Sequence, residues 1–278
     1  MELPEQALAG GMDAARGVVR VGDTVRRPGM RVGVKELLLH LERVGFAGAP
    51  RYLGTDEKDR HVVSWVDGDV PVPPYPEWAM TETALVSLGR LLREYHEAVA
   101  SFSPVAADWS TEWADPHGGP TVCHNDLYPE NVVFRDGVVV ALIDFDMAGP
   151  GRPLWDLAIA ASEWAPLHAP SARPAAQQGL DAVRRVGLLA AAYGLAADRA
   201  EDLLDIVLEE RAHSTQNILK QAAAGDPVWV AHVNEPGFAE RTAADLDWLD
   251  AQRAALLSST GMPVGGESAA GGRGRPAS

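Results

Sequence analysis

Cysteine occurs once in the 278 residues, at Cys123, so the chain has no intrachain disulfide framework and suits a reducing compartment. That single thiol is expected to be a small buried side chain. Lysine occurs three times, leaving arginine to supply most of the basic charge. The formal net charge of −15 argues against a nucleic-acid-binding surface and favours cationic ligands. No apolar run is long enough to span a bilayer, and Met1-Glu2-Leu3-Pro4-Glu5 does not open a signal peptide. A cytoplasmic protein with neither nucleic acid nor membrane as partner is the expectation; the oligomeric state is left open. No internal repeat is visible, and the length allows one large domain or two lobes.

What the chain does have is concentrated between Thr121 and Gly149. His124-Asn125-Asp126 is followed five residues after the aspartate by Asn131, and later by Ile143-Asp144-Phe145-Asp146. Two apolar segments, Val132–Phe134 and Val138–Ile143, flank Arg135-Asp136-Gly137. An Asp-Gly pair between β-branched runs predicts a hairpin. Such a hairpin returns the end of its second strand to the loop before its first, so Asp126, Asn131 and Asp144 can converge. Two carboxylates and an amide oxygen suit a hard cation such as magnesium.

This constellation resembles the catalytic core of the aminoglycoside phosphotransferase family, small-molecule kinases with a protein-kinase-like fold. The family motif runs His-x-Asp, four residues, Asn, then a strand ending in Ile-Asp, and every polar position is filled here. The resemblance continues into Trp155-Asp156-Leu157-Ala158. It implies an α+β, bilobal fold with a small β-rich amino-terminal lobe and a larger, mainly helical carboxyl-terminal lobe. It also implies transfer of a γ-phosphoryl group from ATP or GTP to a hydroxyl of a small molecule. Asp126 would then be the base for the acceptor hydroxyl, Asn131 and Asp144 would hold magnesium on the phosphates, and His124 would support the loop. The family includes choline-, homoserine- and sugar-type kinases, so its name leaves the acceptor open, whether aminoglycoside-like or a metabolic alcohol.

The segment before Asp126 is short for this family. Val18–Val21 and Thr24–Arg27 read as a hairpin stopped by Pro28. Gly10 and Gly11 match a reduced form of the family's phosphate-covering glycine loop, and a plain flexible terminus explains them equally well. The resemblance also requires a cation on the third strand, where no lysine stands. Arg26 is the best match, with Arg27 expected to face the other side of the strand. Val34–Val44 shows helical spacing, and Glu36 aligns with the family's paired glutamate, Glu42 being the alternative. Arg60–Val66 reads as the lobe's last strand, with the hinge backbone of Ser64, Trp65 and Val66 expected to read the nucleotide base.

Further on, Thr81–Ala100 carries Leu85, Leu88, Leu91, Leu92, Tyr95 and Val99 on one stripe, which marks a core helix with His96 packed inside it. Helices are expected over Trp155–Trp164, Ala175–Tyr193, Asp198 to about Lys220 (opened by an Asp198-x-x-Glu201 capping box), and Asp245–Leu257. The acidic residues of the Asp198 helix read as a solvated face, or, by resemblance, as binders of acceptor ammonium groups. The lobes are placed at residues 1–66 and 67–257, with a disordered tail over 258–278. The trimmed lobe also resembles that of trifolitoxin-immunity-like proteins, a resemblance that assigns no activity; the reduction of the lobe itself supports a second reading, a catalytically weak nucleotide-binding module of regulatory or immunity type.

Overall fold

The computed structural model describes residues 4–8, 17–103 and 108–260. Gly10 and Gly11 lie outside the described residues, as does the tail beyond Thr260.

The amino-terminal region is an antiparallel sheet of β1 (Gln6–Ala7), β2 (Val19–Val21), β3 (Thr24–Arg27), β4 (Tyr52–Thr55) and β5 (His61–Ser64), in the order β1-β2-β3-β5-β4. The β2–β3 hairpin forms where the Gly-Asp turn lies, and Gly22 supplies the positive φ that the turn needs. Helix α1 (Val32–Arg43) inserts between β3 and β4 and buries Val34, Leu37, Leu38 and Leu41. Its own preceding residue makes no side-chain cap. Instead Asp108 Oδ1 accepts from the Val32 and Gly33 amides at 2.9 and 3.5 Å, placing a carboxylate at the positive end of the helix. Trp109 packs on Gly33 so closely that an added Cβ would lie 2.9 Å from its ring.

Backbone hydrogen bonds also tie this region to the rest. The Leu142 amide donates to the Gly48 carbonyl at 2.9 Å. Past the hinge, Asp69 and Phe134 exchange both backbone hydrogen bonds at 2.8 Å. Gly68 makes that approach possible: its φ is +145°, and a Cβ there would sit 2.2 Å from the Phe134 carbonyl oxygen.

The carboxyl-terminal region is mainly helical. Helix α2 (Glu82–Val99) is capped by Thr81, whose hydroxyl accepts from the Ala84 amide, and its buried stripe is the one that the leucine spacing predicts. Strands β6 (Thr121–Cys123) and β9 (Gly149–Gly151) form one small sheet, and β7 (Val132–Arg135) and β8 (Val138–Leu142) the expected hairpin. Helix α3 (Pro153–Trp164) is buried on almost every face, with Trp155, Leu157, Ala158, Ala160, Ala161 and Trp164 all at 0% exposure. It is the centre of the core.

The helix boundaries differ most from expectation in the last third of the chain. Helix α4 spans Ala182–Tyr193 and starts late, because Gly179 has a positive φ and Asp181 caps the helix through the Arg184 amide. Helix α5 spans Ala200–Ala223. Asp198 does not cap it, since that residue already lies inside a 3-10 turn over Ala197–Arg199. Helix α6 (Pro227–Val233), capped by Asp226, was not foreseen, and α7 runs over Phe238–Thr260, starting before and ending beyond the expected Asp245–Leu257.

Candidate active site

The residues from Val122 to Asp126 have little conformational freedom. Asn125 has a φ of +64°, unusual for a residue with a side chain, so the loop is held by specific bonds. Its side-chain amide donates to the Met147 carbonyl at 2.9 Å. His124 is fully buried and its Nε2 lies 2.9 Å from the Ile143 carbonyl. Burial lowers its basicity, so the ring is neutral, with Nε2–H as donor. The bond joins the loop before Asp126 to the residue before Asp144.

The hairpin brings the three predicted polar residues together. The Ile143 amide donates to the Asn131 carbonyl at 2.9 Å, and Asn131 Nδ2 donates to the Asp126 carbonyl at 2.9 Å. The amide's Oδ1 then has no donor among the described residues. Asp144 sits in the left-handed region with φ +59° and ψ 68°, a conformation that turns the chain sharply after β8. Its charge is close enough to act on Asp126, whose carboxyl is pushed up to about 8, chiefly by burial and next by Asp144 and Glu130.

The cation that reaches these acids is Arg27. Its guanidinium bonds Asp146 and lies 3.4 Å from Asp144 Oδ1. Arg27 is 8% exposed, whereas Arg26 makes no ion pair among the described residues. The expectation had these two reversed. Val25 packs against the core, and with a side-chain period of two the face that Val25 shares is Arg27's, not Arg26's. Glu36 is exposed on α1 and forms no pair with Arg26 among the described residues; the acids facing the strand cation are Asp144 and Asp146.

The hinge is likewise partly committed to its own lobe. The Ser64 amide donates to the Arg51 carbonyl and the Trp65 amide to the Asp23 carbonyl, at 2.9 and 2.8 Å. Of the three hinge residues, only Val66 keeps an amide without an acceptor among the described residues. The Trp65 ring is covered by the Arg20 guanidinium, 3.9 Å from its centroid.

On the other side of Asp126 the walls are acidic. Tyr75, in the proline-rich stretch that follows the hinge, donates to Glu130. Glu163, with its side chain 20% exposed at the end of α3, has its carboxyl raised by burial, against lowering by His168 and Arg211. Glu210 on α5 adds to that rise. Further acids hold the entrance together. The fully buried Asp115 side chain takes a two-pronged contact from Arg152, at 2.6 and 2.9 Å, and Arg152 also reaches Glu209 at 2.9 Å. Neither Tyr75 nor Asp115 carried a motif by which sequence reasoning could find it, because each partner is remote in the chain.

The donor set fits a divalent metal with oxygen preference: a carboxylate at Asp144, an unengaged amide oxygen at Asn131, and a neighbouring carboxylate at Asp146 that already draws a cation.

The model of the phosphotransferase enzyme family matches residues 98–189. A trifolitoxin immunity protein from Rhizobium leguminosarum bv. trifolii is 33% identical over 229 residues, covering 76% of this chain and 85% of its own. Among solved structures, a choline/ethanolamine kinase family protein from Mesorhizobium loti superposes with a TM-score of 0.58 at 16% identity, covering 93% of this chain and 92% of its own. The GDP complex of an aminoglycoside 2'-phosphotransferase-IIIa gives 0.54 at 16% identity, over 91% and 93% of the two chains. Such low identities speak for the fold alone. With the immunity relative, the matched family model and a bilobal kinase-like fold in agreement, the chain belongs to the aminoglycoside phosphotransferase family.

Proposed function

We propose that the chain transfers the γ-phosphoryl group of ATP or GTP to a hydroxyl of a small molecule. The observation that carries this reading is the convergence of Asp126, Asn131 and Asp144, with Arg27 arriving from the opposite lobe. Asp126 accepts the proton of the acceptor hydroxyl as attack develops, and its elevated basicity suits that task near neutral pH. Arg27 contacts phosphate oxygens as the strand-borne cation, in place of the Arg26 first assigned. Asn131 and Asp144 are the residues that would hold magnesium, which supplies offsetting positive charge to the phosphates when bound. Val66 offers the hinge amide for the base edge.

The acceptor is proposed to be cationic. Glu210 and Glu130 both raise the buried Glu163 carboxyl, against lowering by His168 and Arg211, and an ammonium group beside the reacting hydroxyl would favour the charged form of these acids. Incubation with magnesium and ATP or GTP against matched aminated and neutral polyols, followed by phosphorus NMR, tests this. Phosphomonoesters should form on aminated acceptors at rates well above those on neutral ones; equal or reversed rates would remove the charge argument.

A second reading has one observation in its favour, the 33% identity to an immunity protein. On that reading the same cleft binds nucleotide without transferring phosphate.

A further inference from the structure

One carboxylate at the site is given no part in the proposed reaction. Asp146 follows Asp144 by two residues, on the 3-10 turn Phe145–Met147. The Arg27 guanidinium bonds Asp146, while its Nη2 stays 3.4 Å from Asp144 Oδ1. The two acidic side chains are equally accessible, each 27% exposed, and that of Arg27 is 10% exposed. A largely buried cation thus faces two acids and lies nearer the one that the metal does not need.

The turn that carries Asp146 is anchored on both sides. Phe145 is buried, its ring centroid 4.6 Å from that of His124 and 5.9 Å from that of Tyr95. On the other side the Met147 carbonyl accepts from Asn125 Nδ2, and the Ala148 amide donates to the Phe145 carbonyl, both at 2.9 Å. Arg27 comes from the amino-terminal sheet, where it stands opposite His61 of β5. The pair therefore joins a fixed turn of one region to a strand of the other.

The acids of α1 have different surroundings. Glu36 is exposed, and Glu42 lies 4.0 Å from the Arg51 guanidinium. The helix itself is fastened to the carboxyl-terminal region at both ends. Asp108 accepts from the Val32 amide at 2.9 Å, and His40 Nε2 lies 2.9 Å from the Ala98 carbonyl. A helix held in this way has Leu37, Leu38 and Leu41 on its buried face and Glu36 on its outer one.

We infer that Asp146 is a positioning residue: it takes the place that the resemblance gives to Glu36 as partner of the strand cation, and by holding Arg27 it reserves Asp144 for the metal. The inference rests on the function proposed above. Its physical content is competition, because a guanidinium and a metal ion on one carboxylate repel each other. Without the Asp146 charge, a movement of about 0.5 Å would bring Arg27 into full hydrogen-bond contact with Asp144. The arginine would then occupy the acid on which the metal depends.

A double-mutant cycle separates this role from direct metal ligation by Asp146. Binding of Mn²⁺ to the nucleotide-free protein, followed by the loss of its free electron-paramagnetic-resonance signal, is the measurement. Asp146→Asn should weaken binding roughly tenfold when Arg27 is present, and less than about threefold in the Arg27→Ala background. Asp146→Glu, which keeps the charge, should recover most of the loss. Glu36→Gln should leave binding within about twofold. Equal losses in the two backgrounds would overturn the inference and make Asp146 a metal ligand in its own right. No loss in either background would overturn it too, as would a loss in Glu36→Gln matching that in Asp146→Asn. Asp146→Ser repeats the cycle should circular dichroism show that Asp146→Asn does not fold. Because the cycle is read without turnover, a wild-type protein that transfers no phosphate would sink the proposed reaction, while the cycle still decides whether Asp146 keeps Arg27 off Asp144.

Discussion

Replacing Asp126 by Asn tests the base through stability as well as through rate. In the folded chain the carboxyl is pushed up to about 8 from an ordinary 3.8, because the group is largely buried beside Asp144 and Glu130. Between those two pH values the folded state keeps a proton that the unfolded state has released. Stability must therefore fall as pH rises through that window, by at most about 1.4 kcal/mol per pH unit for this one group. This is a ceiling. Asparagine has no proton to lose, so the variant escapes the decline. Urea unfolding of both proteins at pH 5 and pH 7, without nucleotide, should show the variant gaining up to about 2.7 kcal/mol on the wild type across the interval. Subtracting one curve from the other removes the contributions of Asp115, Asp245 and other ion-paired carboxylates, which run in the opposite sense at lower pH. Parallel curves would refute the claim that Asp126 is a buried, elevated carboxyl. In an active protein the same substitution should lower turnover by roughly 10²–10⁴-fold with nucleotide affinity little changed.

Other expected outcomes concern phosphate, metal and hinge. Arg27→Ala should weaken triphosphate binding about ten- to a hundredfold while nucleoside binding holds, and Arg26→Ala should do much less; titration calorimetry with both ligands checks the pair. Asp144→Ala should abolish the magnesium dependence of nucleotide affinity with the fold retained, measured by calorimetry with and without the metal. Gly68→Ala should lower stability by roughly 1–3 kcal/mol, since the new Cβ meets the Phe134 carbonyl at a backbone angle suited to glycine, and thermal melts would register it.

How much of this could be read in advance depended on distance along the chain. Asp126, Asn131 and Asp144 share one stretch folded by one Asp-Gly hairpin, so local rules sufficed to bring them together. The leucine stripe of α2 was equally local. Choosing between Arg26 and Arg27 was different in kind. Consecutive strand residues face opposite ways, and only the packing of Val25 on the core decides which arginine enters the cleft. The His96–Asp156 bond spans 60 residues and the Arg152–Asp115 pair 37, so nothing in either local pattern marks the partner. Strands β6 and β9 are short and were invisible for the same reason: each exists because the other lies beside it. The misplaced start of α5 arose because Asp198 and Glu201 have capping-box spacing, although the chain is already turning at Ala197.

On the proposed function, this site cleaves the γ-phosphate bond with Asp126 as base and the Asn131–Asp144 pair as metal holders. Release of inorganic phosphate from ATP or GTP, with water as the acceptor at saturating nucleotide, tests it without knowledge of the natural acceptor. Release should be slow, require magnesium, be lost in Asp144→Ala, and fall at least about a hundredfold in Asp126→Asn. Tight nucleotide binding with an intact γ-phosphate, identical in wild type and Asp126→Asn, would contradict it and leave a nucleotide-binding protein in place of an enzyme.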